Sequence, residues 1–193
     1  LRGISDERAA ELLSHMEPDE SAEVLRDLDE EHSESILAQM APAMAKQLRR
    51  LVEFDETHAG GIMTTHLLIV KESDSVADAL ALLVDNRERD ISDGVTVVDS
   101  KGKLLDHIQI IELIAAKPSQ KLETLVKAPF PTAVSIETSL DDVIEEFSNN
   151  RGSSVIVVDE KGKPVGRILA DDIIDAMVPA ESSGLAQGSG ALS

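Results

Sequence analysis

Val95-Thr96-Val97-Val98-Asp99-Ser100-Lys101-Gly102-Lys103 recurs sixty positions on (155 after 95) as Val155-Ile156-Val157-Val158-Asp159-Glu160-Lys161-Gly162-Lys163. Each copy reads as a buried β-branched strand that runs into a tight turn, with glycine where a positive φ is wanted. The surroundings repeat as well. Upstream of each copy lies an amphipathic helix with a serine N-cap, Ser75 before Val76-Ala77-Asp78-Ala79-Leu80 and Ser139 before Leu140-Asp141-Asp142-Val143-Ile144. A short strand precedes each helix, at His66–Val70 and Thr132–Ile136. Beyond each turn a further strand leads into a helix: Ile108–Ile110 into Ile111–Ala115, and Gly166–Leu169 into Asp171–Met177. The pattern predicts a β-α-β-β-α unit, present twice.

Ahead of this repeat lies a second, shorter one. Apolar pairs fall every twelve positions at Leu12-Leu13, Val24-Leu25, Ile36-Leu37 and then Leu48, and a second series runs in step at Met16, Leu28, Met40 and Val52. Within a unit the spacing is i, i+3, i+4, one face of a helix. Pro18 and Pro42 fit the first turn of their helices, where a missing N–H matters little. Helices of roughly eight to ten residues are too short to persist alone, so they must stack into a small superhelix. The tail from Pro179 to Ser193 is rich in Gly, Ser and Ala and reads as a flexible tail or linker.

Composition narrows the function. Of 193 residues 42% are hydrophobic but only 2% aromatic, so the core is aliphatic and the stacking platforms used for single-stranded nucleic acid are missing. Thirty-seven acids against 18 bases leave a net charge of −19, which repels phosphate backbones and anionic lipid and attracts cations. There is no cysteine, so disulfides, thiolate zinc sites and cysteine nucleophiles are excluded. No stretch approaches the ~18 uninterrupted apolar residues of a membrane span, and no signal peptide is visible. The chain opens at Leu1 inside a helical pattern, as a fragment would.

The doubled unit resembles a tandem pair of CBS domains, and the helical array resembles the intracellular N-domain of MgtE-type magnesium transporters. Thr57-His58-Ala59-Gly60-Gly61-Ile62-Met63-Thr64-Thr65 resembles that family's linker between the two. The expected architecture is α + α/β: a short-helix superhelical repeat over 1–56, a CBS pair over 57–178 (first unit about 57–120, second about 121–178), and the tail over 179–193. The resemblance implies a non-catalytic cytosolic module that senses Mg2+ for a transporter or for a pore-less soluble homologue. It implies a homodimer through the CBS domains, a membrane transporter domain as partner, and no nucleic acid. In the family, cations bridge two acidic bodies, joined here at Gly60-Gly61. The alternative is a CBS pair regulated by adenosine nucleotide or acting as a protein-interaction module.

Site residues follow from the same resemblance. Asp171, Asp172 and Asp175 lie on the last CBS helix, where the family ligates magnesium. Asp19 and Glu23, one turn apart, lie about where the family places N-domain ligands. Against the nucleotide motif, Gly166 and Asp172 match, while Leu169, Gln109 and Glu112 depart from it. A position that carries a cation ligand in the family is occupied by Arg151, and the acidic cluster beyond the last helix is missing. Asp141 and Asp142 open a helix and read either as further cation ligands or as charges that serve its dipole. His15, His32, His58, His66 and His107 have no metal-ligand spacing, and no hydrolytic triad or acid–base constellation emerges.

Overall fold

The computed structural model describes residues 4–87, 93–127, 133–149 and 154–177. Arg151 and the tail fall outside them. Four short helices come first: α1 (Asp6–Leu13), α2 (Pro18–Arg26), α3 (Glu30–Ala38) and α4 (Pro42–Val52). Pro18 and Pro42 occupy the first turns, and Asp29 caps α3 by accepting the His32 N–H at 3.0 Å. Helix α1 packs on α3, and α2 and α3 pack on α4. Leu13, Leu25 and Leu37, the second members of the apolar pairs, are all buried; of the first members Ile36 is buried too, whereas Leu12, like Met16, remains exposed at the start of the array. The buried Ser21 hydroxyl donates to the Leu13 carbonyl at 2.8 Å, so one helix end is satisfied by the next helix.

A one-turn helix in the linker, α5 (Ala59–Ile62), leads to the two repeated units. The first unit comprises β1 (Ile69–Lys71), α6 (Val76–Asp85), β2 (Gly94–Val98), β3 (Leu104–Gln109) and α7 (Ile110–Ala115), followed by a 3-10 turn at Leu122–Thr124. The second comprises β4 (Ala133–Ser135), α8 (Leu140–Asn149), β5 (Ser154–Val158), β6 (Pro164–Leu169) and α9 (Ala170–Met177). Each sheet has the order β1-β2-β3 or β4-β5-β6, one parallel and one antiparallel pair, with a bulge at the same place, after Val97 and after Val157. The turns are built alike. The Asp99 carboxylate accepts the Lys101 and Lys103 N–H groups, Asp159 accepts those of Lys161 and Lys163, and Gly102 and Gly162 have φ of 80° and 73°. Ser75 caps α6 in a reciprocal pair with Asp78, and before α8 the Ser139 hydroxyl accepts the Asp142 N–H and donates to the Asp142 carboxylate.

The strand expected over His66–Val70 is laddered only at Ile69–Lys71, because the preceding segment is used elsewhere. Thr64 pairs with Arg167 of β6 in the second unit. The N–H groups of Ala59 and Gly60 donate to Thr138 and Ile136, and Thr57 accepts from Leu140. In return, the segment that follows α7 completes the first unit: Val76 and Ala77 donate to Gln120 and Pro118, and Leu122 donates to Asp74. Each unit is thus closed by the segment that precedes its neighbour. The apolar core of the second unit runs without interruption through Ala59 and Met63 into the array's Leu48 and Leu51, with Phe54 and Ile62 packed against it. The first unit keeps a separate core around Val76, Val95, Val97, Ile108 and Leu113. The array and second unit are therefore joined by hydrophobic burial.

Candidate functional site

Docking the linker on the second unit leaves an acidic cleft of about 260 Å³ between α2 of the array and α9. Six carboxylates line it: Asp19, Glu20 and Glu23 from α2, Glu56 from the linker turn, and Asp172 and Asp175 from α9. Among the described residues one guanidinium, Arg26, lies with them, and two of its N–H groups donate to the Phe54 and Gly61 carbonyl oxygens. The wall between is the linker itself, from Gly61 to Thr64.

Two of the carboxylates are held in place. Asp19 Oδ1 accepts both the Thr65 N–H (3.2 Å) and the Thr65 hydroxyl (2.6 Å), which ties the first turn of α2 to the segment leading into the first unit. Asp172 Oδ2 accepts the Leu169 N–H at 2.7 Å, a helix-start contact made by the third residue of α9. Burial pushes the Asp172 carboxyl above its usual range, and the nearby charges of Asp171 and Asp19 push the same way. The Leu169 hydrogen bond and the charge of Arg167 oppose them. Asp19 and Asp172, on separate bodies, thus repel one another across the cleft. Glu20, Glu23, Glu56 and Asp175 are exposed.

Sequence reasoning placed Asp19, Glu23, Asp172 and Asp175 as candidates, and the fold brings all four to this cleft. Asp171 is exposed and does not line it, although its charge is felt at Asp172. Glu20, Glu56, Arg26 and Thr65 were missed. In a chain with 37 acids, nothing local marks Glu20 or Glu56 as facing another domain. Gly166, matched to a nucleotide motif, has another use. A Cβ there would lie 2.5 Å from Met63 Sδ and 2.9 Å from the Thr64 carbonyl oxygen, so glycine admits the linker against β6. Among the described residues, no three His, Asp or Glu side chains close into a metal-coordinating group. The donors are all oxygen, charged and openly spaced. That fits a hard divalent cation held partly through its own water, the habit of magnesium, and not a dehydrated transition metal. His32 and His58 are paired with Asp6 and Asp55, and His107 is paired with Asp93.

A short-helix array followed by a doubled β-α-β-β-α unit defines the class of proteins built on a paired α/β module. The chain belongs to the CBS-domain family. Residues 59–117 and 112–179 match the CBS domain, and residues 1–57 ahead of them match the MgtE intracellular N domain. Neither matched family is an enzyme family. The chain is 28% identical over 202 residues to the magnesium transporter MgtE of Thermus thermophilus, covering 88% of this chain and 44% of that protein. The chain therefore spans less than half the length of that relative. In structure it is similar to the soluble part of a magnesium transporter (TM-score 0.77, 22% identity, 89% of this chain and 67% of that one). It is also similar to the cytosolic domain of the Mg2+ channel MgtE in complex with ATP (TM-score 0.73, 24% identity, 91% and 77%). No helix among the described residues is long and apolar enough to cross a membrane.

Proposed function

We propose that this chain is the non-catalytic, cation-sensing part of a magnesium transport system, acting at the cytosolic face of the membrane. The observation that supports this most is the convergence of carboxylates from two folded bodies on one cleft, Asp19 and Glu23 facing Asp172 and Asp175. In the absence of a divalent ion these groups repel. Bound Mg2+ offsets that repulsion and favours the closed joint. Asp172, Asp175, Asp19 and Glu23 are the proposed ligands, largely through water, and Asp171 adds to the field.

Magnitudes limit how sharply such a sensor switches. A site at ten times its dissociation constant stabilises the bound state by about 1.4 kcal/mol. Moving a two-state balance from 1:99 to 99:1 takes roughly 5.5 kcal/mol, or about four such sites. A cleft with one Arg among its acids fits a graded response. Dimerisation through the CBS pair is part of the proposal, and the exposed Ile111, Ile114, Ile174 and Met177 on α7 and α9 support it.

The deciding experiment is calorimetric titration of one sample with Mg2+, Ca2+ and ATP, repeated on Asp172→Asn/Asp175→Asn. Mg2+ heat that disappears in the double variant is the expected result. Heat from ATP alone assigns the module to adenosine nucleotide instead.

A further inference from the structure

The 60-residue repeat places His107 of β3 and Arg167 of β6 at equivalent positions, opposite Thr96 and Ile156 in their ladders. Both side chains reach the same carboxylate, Asp93, just before β2. His107 Nε2 lies 3.0 Å from Asp93 Oδ1, and an Arg167 guanidinium N–H donates to that oxygen at 3.3 Å. The Ser154 hydroxyl of β5 donates to Asp93 Oδ2 at 3.0 Å. Arg167 is 1% exposed, and among the described residues its buried Nε has no hydrogen-bond partner. An interior arginine with an unmatched donor is costly to keep at a strand position that an aliphatic residue would fill.

Arg167 has a second attachment. Its N–H donates to the Thr64 carbonyl, and its own carbonyl accepts the Thr64 N–H, both at 2.9 Å. Thr64 lines the acidic cleft, and its neighbour Thr65 holds Asp19. One residue is therefore bonded to the cleft's wall through its backbone and to the first CBS unit through its side chain. The core of the first unit is separate from the core shared by the array and the second unit. We propose that Arg167 is a positioning residue that relays the state of the acidic cleft to the first CBS unit, through Thr64 on one side and Asp93 on the other. The transmitted signal, though not the mechanical link, rests on the cleft being the cation site.

The test is amide hydrogen exchange in peptides spanning β2 and β3 of the full chain. Without metal, Asp19→Ala releases Thr65 and should speed exchange of these amides by about two- to threefold, the low end of coupling within one network. In Asp19→Ala/Asp93→Asn that increment should vanish. With Asp93→Glu, which keeps the charge, it should return at least in part. Should Asp93→Asn fail to fold, Arg167→Lys replaces it, since lysine keeps the charge but cannot make the guanidinium contact. Simple additivity in the double variant overturns the relay. About 10 mM Mg2+ should then slow exchange in α9 and in β2–β3 of the unmodified chain, but only in α9 of Asp93→Asn. If Mg2+ slows neither while the metal-free cycle stays non-additive, the relay stands and the cation reading of the cleft falls. If Mg2+ slows β2–β3 equally in Asp93→Asn, the relay is overturned.

Discussion

At the scale of single residues, Asp172 carries the clearest conflict between stability and its proposed role. Its folded-state affinity for a proton is raised, so the native state binds that proton more tightly than the unfolded chain does. Stability from this group therefore falls as pH climbs from the ordinary aspartate range through the raised value, and at neutral pH ionised Asp172 opposes folding. Asp172→Asn keeps an acceptor for the Leu169 N–H and removes the charge. In metal-free buffer it should raise Tm slightly, by no more than ~2–4 °C, the shift that about 1 kcal/mol gives a domain of this size. It should also abolish most of the Tm gain that Mg2+ gives the unmodified chain. Thermal melts with EDTA and with Mg2+ check both halves, and a lower Tm in EDTA would show that the carboxylate is structural. Asp55 behaves oppositely. The Thr57 hydroxyl and N–H, with His58, hold its carboxyl down to about 2, so its contribution is present above the unfolded value and fades as pH falls toward 2.

At the scale of elements, the linker helix α5 decides where the cleft is. It is only four residues long and is held from outside, by Ile136 and Thr138 of the second unit. Gly61 sits where a Cβ would lie 1.8 Å from the Asp55 carbonyl oxygen, a backbone atom that cannot step aside. Its carbonyl also receives Arg26. Gly61→Ala should therefore destabilise the chain by about 2 kcal/mol or more, at the upper end of overpacking costs, and weaken Mg2+ binding as well. Gly162→Ala is the comparison. There φ is 73° and nothing lies within 4 Å of the added methyl, so the cost is backbone strain of about 1 kcal/mol, and Mg2+ affinity should be unchanged. Paired melting and titration of the two variants separates a linker effect from a general glycine effect. Equal Mg2+ losses in both would show that α5 does not position the cleft.

At the scale of the whole molecule, apolar burial and the acidic cleft share one joint, between the array and the second unit, while polar contacts make the other. The array and the second CBS unit share an apolar core, whereas the first unit is attached by exchanged segments and the Asp93 network. Cation-linked change should therefore be modest in amplitude and fall chiefly on the first unit. Small-angle scattering at ~10 mM Mg2+ should show slight compaction relative to NaCl of equal ionic strength. The control matters because exposed charges are screened over about 8–10 Å at ordinary salt. Superimposable profiles, in a sample whose calorimetry shows no Mg2+ heat, would remove the sensing role.

Local rules were enough to locate most of the fold. The serine caps, the prolines at first turns, the Asp-x-x-Gly hairpins and the two hydrophobic periods each act within a few residues, so Ser75, Pro18, Gly102 and the Val95–Val98 strand could be read directly. The i, i+4 spacing of Asp19 and Glu23 showed which acids share a helix face. It did not show that this face meets Asp172, that Glu56 joins them, or that Gly166 makes room for Met63. Those contacts are made between segments that lie far apart in the chain, and in a chain where 28% of residues are charged, one carboxylate looks like another until packing buries it beside its neighbours. Only the tertiary structure could pair Thr64 with Arg167 and send the linker to the second unit, because backbone hydrogen bonds carry no side-chain signature.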